Sequence, residues 1–514
     1  MAFFKKLKNN KIFSIISGYL SVVIILWVFA LPIGAGLNEG DNGIYAASVA
    51  RGSVFLPFKE VDFVPSWRAQ VPAWVAAITK SWILEAFDKG GALHPNPSQF
   101  IAESSNSYVL TTTNLAHLPP FFYFLVGIPS LIFSGLFAAY SMRLITALIC
   151  LVFILISLYL VSRNSNNKLS IAGLVFALSP EAYFLFSTIT ANGIEVASAC
   201  LVFTATALLC TEQPQEKQIR LLRIWFLASS ALCLVRTLSP VWVLVAALYL
   251  IIYIGPVALI NLIKKHKDLY IYITILVVAG LLTFFWDLFR GSFPYQIAVY
   301  LTNSYHDESF ISRFFISIKR VTTFYNQAFG HINNGNFFAG TVIYVLLIFV
   351  VISISFKNAS TRQKLILVLG VAFNILLPAL FESIKGNSLG QWWYGDYSLP
   401  LYVQSPIIAA TFLSKSNGNE RTKEILTNLL LVFAVLSQLT VLYLVARSYM
   451  VGFSGKIMVL FANSIWQGYP FGFESFYLLI DLIFSIATIT LFVKPLGSLK
   501  NPFTSKTLNN SDLL

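Results

Sequence analysis

The sequence predicts an all-α polytopic membrane protein with about twelve transmembrane helices (roughly 11–13). Three observations carry this expectation. Hydrophobic residues make up 57% of the 514-residue chain and charged residues 11%, against roughly 45–50% and about 25% in soluble domains. Mean hydropathy is +0.74. Apolar runs of about 20 residues, the length that crosses roughly 30 Å of hydrocarbon, recur along the whole chain. The four cysteines lie inside those runs, which excludes a disulfide scaffold. The net charge of +13 fits cytoplasmic loops that fix orientation better than a nucleic-acid surface.

The elements follow in order. Residues 12–31 form the first span, preceded by Lys5, Lys6, Lys8 and Lys11. The apolar run is long for a signal peptide and its small-residue cleavage pattern is weak, so it reads as an uncleaved helix with a cytoplasmic N-terminus. Later spans fall near 139–162, 169–188, 191–210, 222–238, 240–263, 269–289, 339–356, 364–381, 398–414, 425–446 and 473–493. The stretch 119–135 is apolar but carries Pro119, Pro120 and Pro129, and it reads as a juxtamembrane helix at the outer interface. With that choice, 21 of the chain's 35 Lys and Arg fall on the cytoplasmic side. Letting 119–135 cross would reverse the bias. Both termini are then cytoplasmic, and residues 1–514 form a single integral membrane domain. Its long outer loops are 32–138, with juxtamembrane helices, and 290–338. Loops of that length usually have a function.

Ionisable residues near the outer ends of spans are the candidates for chemistry. Glu39 and Asp41 follow the first span, where a carboxylate can take a proton from an attacking hydroxyl. The alternative is a helix cap and a solvated acid. Glu60 and Asp62 form a second acidic pair, suited to Mg²⁺ or Mn²⁺ or else simply solvated. The five histidines show no zinc-site spacing. His117 stands before Pro119-Pro120, and Arg143 opens the second span; Arg143 is expected at the outer surface, holding a phosphate or snorkelling. Glu181, Glu195, Arg236 and Asp481 lie inside apolar runs, so they should face the interior and pair, Arg236 with Glu195 or Glu181. Arg236 beside a lipid-linked phosphate is the functional alternative. Arg313, Lys319 and Arg320 sit on an amphipathic stretch that suits anionic headgroups or a substrate phosphate. Trp392 and Trp393, with Asp396 nearby, fit either an interfacial aromatic belt or a sugar platform.

The order of these features resembles the C-type (GT-C) superfamily of membrane glycosyltransferases, which use polyprenyl-phosphate-linked sugars. The residues that carry the resemblance are Glu39/Asp41-Asn-Gly-Ile-Tyr45-Ala, His117-Leu-Pro119-Pro120-Phe-Phe-Tyr123 and Arg143-Leu144. Closer still is a group of bacterial membrane proteins within that superfamily, through Pro180…Ser187…Asn192 and Gly395-Asp396-Tyr397-Ser-Leu-Pro400. Together these motifs cover roughly residues 30–400. Two departures stand out. Asp41 is followed by Asn42 rather than by a second acid, and Asp396 replaces the late arginine, so no phosphate-binding role carries over to that position.

The resemblance implies transfer of a sugar from a polyprenyl-phosphate carrier to a cell-envelope glycan or glycolipid acceptor, at the outer face of a bacterial cytoplasmic membrane. Asp41 matches the position of the catalytic acid. His117, Arg143, Arg236, Arg313, Arg320, Trp392, Trp393 and Asp396 are the expected substrate contacts, and a divalent cation is the cofactor to test. The rival readings are a flippase or transporter of lipid-linked glycans, with broken helices at the midplane, and a polysaccharide polymerase or ligase.

Overall fold

The computed structural model describes residues 11–36, 38–61, 64–84, 101, 104–164, 168–290, 308–330, 338–389, 393–451 and 474–493. All twelve apolar segments fold as helix. The first, Lys11–Phe29, has 19 residues and so reaches about 28 Å, close to one bilayer thickness. Seven helices among the described residues are long and apolar enough to cross a membrane, or nine if each of two bent pairs is one span. Twelve is therefore not reached by length and composition. Gln215–Cys233 begins with a polar, charged turn. The 398–414 segment is split into Gly395–Tyr402 and Gln404–Lys415, and the apolar part of the last helix, Phe476–Phe492, is short.

Both bends have local causes. Leu169–Ala177 and Pro180–Phe186 meet at 65°, where Pro180 follows the extended Ser179 and cannot continue the preceding helix. Ser239–Ile254 and Pro256–Lys265 meet at 96°. Gly255 adopts φ 90° there, a left-handed backbone that glycine tolerates, and Pro256 follows it.

Helix Ala191–Leu209 is the centre of the bundle, with 94% of its apolar window buried, whereas Leu269–Arg290 is peripheral at 17%. The central helix is rich in Gly, Ala, Ser, Cys and Thr. Small side chains let it pack closely against Gly135–Asn164, Gln215–Cys233 and Gln404–Lys415.

The first long loop caps one end of the bundle. It holds helices Glu39–Ala50, Ala73–Leu84, Pro120–Gly127 and Pro129–Ile132. The stretch 119–135, expected as one juxtamembrane helix, folds as the two short pieces at 120–127 and 129–132. The all-α expectation needs one addition, a three-stranded antiparallel sheet of β1 (Phe58–Val61), β2 (Val64–Pro72) and β3 (Tyr108–Thr113) in the order β1-β2-β3. Trp67 pairs with Thr113 and Val71 with Val109. Trp67, Ala69 and Val71 are buried and Arg68 and Gln70 exposed, the two-residue alternation of a sheet with one covered face. The cap packs tightly. A Cβ on Gly127 would stand 2.0 Å from the Ala46 carbonyl oxygen, so helices 39–50 and 120–127 touch backbone to backbone there.

Candidate functional site

Helix Glu39–Ala50 divides its two acids. Glu39 is 1% exposed and its carboxylate is saturated. It accepts from Arg143 Nε and Nη2, both at 2.6 Å, and from the N–H groups of Gly34 at 2.8 Å, Gly36 at 3.1 Å and Ile189 at 3.1 Å. Burial alone would raise its pKa; the Arg143 guanidinium and the backbone donors outweigh it and hold the carboxyl below its ordinary value. Arg143 also donates to the carbonyls of Val28, Leu31 and Pro32. This corrects two expectations. Glu39 and Arg143 do not face a substrate at the outer surface; they are fully buried against each other and fasten the end of the first helix to the cap.

Asp41 is different. It is half-buried. Its Oδ1 accepts from the Asn114 N–H at 3.3 Å, while the Thr113 hydroxyl donates to the Asp41 backbone carbonyl at 3.0 Å. Burial pushes its pKa up to about 6, against the opposing pull of the Asn114 N–H. The neighbouring Asn42 accepts from Tyr123 Oη at 2.8 Å, and Tyr123 packs on Tyr45 with ring centroids 4.6 Å apart. Tyr45 in turn donates to the Leu118 carbonyl at 3.0 Å.

Three more of the expected residues converge on this point. His117 Nδ1 lies 3.0 Å from the Asn114 carbonyl, its ring centroid is 5.9 Å from that of Trp67, and Trp286 donates to its backbone carbonyl at 3.1 Å. Burial, reinforced by the charge of Arg236, lowers the His117 pKa to about 4, so the imidazole is neutral at physiological pH. Arg236, in the turn between Gln215–Cys233 and Ser239–Ile254, donates from Nη1 to Glu195 Oε2 at 3.2 Å and lies 4.7 Å from the centroid of Tyr397. Glu195 is itself fixed by Ser239 at 2.8 Å and Trp242 at 2.9 Å. Arg236 is also within electrostatic reach of Asp396 and Tyr123, and Tyr123 in turn of Asp41. Asp396 accepts from Asn192 Nδ2 at 2.6 Å. Burial raises the Asp396 carboxyl, with Arg236 and Asn192 opposing. Asp41, His117, Arg236 and Asp396 thus surround one tyrosine-lined junction between the cap and the bundle.

The other candidates lie elsewhere. Arg313 donates to the carbonyls of Ser383 at 3.2 Å and Glu308 at 2.6 Å. Arg320 is ion-paired with Glu382 and lies 5.2 Å from the Phe324 ring. The basic cluster expected to hold a phosphate is instead tied to helix Thr361–Leu389, with Lys319 exposed beside it. Trp393 is no exposed sugar platform. It is 0% exposed, stacked on Phe381 at 5.7 Å and bonded to Ser398 at 2.7 Å. Trp392 and Asp62 lie outside the described residues. Glu60 is on β1, opposite Pro65. Among the described residues, no group of three or more His, Cys, Asp and Glu could hold a metal ion.

Sequence reasoning passed over Arg290, the last residue of its helix, which reaches the Leu56 carbonyl at 2.9 Å. The signal was present: a basic residue at the span end expected to face outward runs against the charge bias on which the expected topology rests.

Two crystal structures of ArnT from Cupriavidus metallidurans are similar to the chain. One, bound to undecaprenyl phosphate, is 13% identical with a TM-score of 0.42, covering 92% of this chain and 69% of that one. The other, in the apo state, is 12% identical with a TM-score of 0.40, covering 92% and 75%. No curated protein gives a significant match. The family model described as "Predicted membrane protein (DUF2142)" matches residues 20–405, three quarters of the sequence, and the chain belongs to that family.

Proposed function

We propose that the chain is a membrane glycosyltransferase. It moves a sugar from a polyprenyl-phosphate carrier to a glycan or glycolipid acceptor at the outer face of the bacterial cytoplasmic membrane. The observation that carries this reading is the division of labour in the acidic motif. Glu39 is consumed by Arg143, whereas Asp41 is half-open, raised to about 6, and set across the Tyr123 junction from a guanidinium. A base is most effective when its pKa lies near the working pH.

In the reaction, the acceptor hydroxyl gives its proton to Asp41 as its oxygen bonds to the anomeric carbon. The carbon–oxygen bond to the phosphate breaks and its electron pair stays on the phosphate. Arg236, oriented by Glu195 and Tyr397, stabilises that developing charge. One displacement inverts the anomeric centre. His117, being neutral, serves as a hydrogen-bonding group and leaves the acid–base step to Asp41.

The bend beside Glu181 favours a second reading, a transporter of lipid-linked glycans. Broken spans near the midplane mark such proteins, and Glu181 Oε2 is buried with no hydrogen-bond partner among the described residues. One experiment separates the two: the full chain in lipid, incubated with a panel of radiolabelled polyprenyl-phosphate sugars and lipid extracts. Label moving from carrier to acceptor supports the transferase. Flux across proteoliposomes with the sugar–phosphate bond intact supports the transporter.

A further inference from the structure

We propose that Arg290 is an oxyanion-binding residue at the rim of the Asp41–His117–Arg236 junction, and that its ligand is a phosphate group. Arg290 Nη1 is committed to the Leu56 carbonyl at 2.9 Å, and its guanidinium carbon lies 5.1 Å from the Phe55 ring centroid. Nε and Nη2 are both buried and have no hydrogen-bond partner among the described residues. No carboxylate among the described residues is ion-paired with Arg290.

Such an arrangement is costly unless something fills it. A buried N–H without an acceptor loses its hydration and gains nothing. A lysine could shed its proton in that position, but a guanidinium stays charged. The two idle groups are also the edge that matters, because Nε–H and Nη2–H lie side by side as a fork matched to two oxygens of one phosphate. The position fits the junction. Trp286, one turn earlier on the same helix, donates to the His117 carbonyl and packs on Phe55 at 5.5 Å. Tyr45, the ring partner of Tyr123, is within electrostatic reach of Arg290. Arg143 has all its guanidinium nitrogens bonded within the protein, and Arg313 and Arg320 are tied to Ser383 and Glu382, so Arg290 supplies a second guanidinium beside Arg236. That the phosphate is the sugar donor's rests on the transferase reading; that Arg290 binds an oxyanion does not.

The test uses the full chain in neutral phosphatidylcholine nanodiscs, titrated separately with inorganic phosphate and with dodecyl phosphate. The parent should bind dodecyl phosphate saturably. Arg290→Gln should weaken it about tenfold to a hundredfold, the value of a charge-assisted pair. Arg290→Lys, which keeps the charge and loses the fork, should fall between. Arg223→Gln, which breaks an exposed pair with Asp268, should match the parent. Parallel loss for both ligands assigns the site to phosphate from either source; loss confined to dodecyl phosphate assigns it to a lipid headgroup. Equal affinity in Arg290→Gln and parent, or no saturable binding of either ligand, overturns the proposal. If Arg290→Gln does not fold, full parental affinity in Arg290→Lys overturns it equally. Arg290-dependent binding without sugar transfer would refute the transferase and leave this site standing. Transfer with Arg290-independent binding would do the reverse.

Discussion

Asp41→Asn separates chemistry from stability, and the structure sets both signs. Asparagine keeps the size of the side chain and an acceptor for the Asn114 N–H, but it cannot take the acceptor's proton. Loss of a general base costs about 10²–10⁴-fold in rate. In the parent, transfer should rise about tenfold per pH unit up to about pH 6, where Asp41 ionises, and level off above. The stability effect runs the other way. The pKa of Asp41 is raised by burial from 3.8 to about 6, so the folded state disfavours the charge by up to about 3 kcal/mol. Residual solvent contact makes that an upper value. The stability of the neutral form is present in full below pH 3.8 and is lost as pH rises through about 6. The variant never carries the charge. Its Tm in lipid should equal the parent's near pH 4 and exceed it by several degrees at pH 8. The assays are transfer of radiolabelled sugar and thermal unfolding, each followed from pH 4 to pH 8. Near-parental transfer by the variant, or a parental rate flat through pH 6, would refute the base assignment. A fall in Tm at pH 8 would make Asp41 a structural cap instead.

Two further outcomes test the frame around the site. Glu39→Gln leaves Arg143 charged in a site where both side chains are 0% exposed, and breaking such a pair costs about 3–5 kcal/mol. The variant should lose Tm and elute as aggregate in detergent, while Glu39→Met with Arg143→Met recovers part of the loss; an unchanged Tm in Glu39→Gln would remove the pair from the fold's supports. Orientation can be read by cysteine labelling, since the four native cysteines are buried. Gln70→Cys, exposed on β2, should react with an impermeant maleimide in intact cells and Lys267→Cys only after lysis; the opposite pattern inverts the topology and places the cap in the cytoplasm.

The apolar helices of the bundle were legible because each announces itself locally. Runs of apolar residues mark the segments, and Ser179-Pro180 and Gly255-Pro256 stand where two of them bend. That Arg236 pairs with a buried glutamate was also legible, because ionisable residues in apolar runs must find one another; that the partner is Glu195 and not Glu181 was not. The sheet was not. Trp67, Ala69 and Val71 alternate correctly, but Pro65 and Pro72 flank them, and prolines cannot donate to a ladder. Nor was the burial of Trp393, since an adjacent pair of tryptophans near a span end reads equally as an interfacial belt. What hides it is the long-range contact with Phe381, which no local pattern encodes.

Glu39 and Asp41 show where the missing information lay. From sequence the two acids are interchangeable, both just past the first span and both able to accept a proton. Once a helix is known to begin at Glu39, they cease to be equivalent, because residues two apart on a helix point in nearly opposite directions. If one points at Arg143, the other must point elsewhere. Arg143, 104 residues later, decides which, since its buried guanidinium requires a carboxylate in contact and only Glu39 is on the inner side. Asp41 is thereby left toward Asn114 and the Tyr123 junction. The spacing of the motif is thus a structural device. One acid is spent fixing the helix, and that fixing holds the second where burial raises its pKa to about 6, the property on which the proposed base role rests. Moving Glu39 by one residue would rotate it about 100° around the helix and should abolish the anchor, whereas moving Asp41 should leave the anchor and lose only the contact with Asn114.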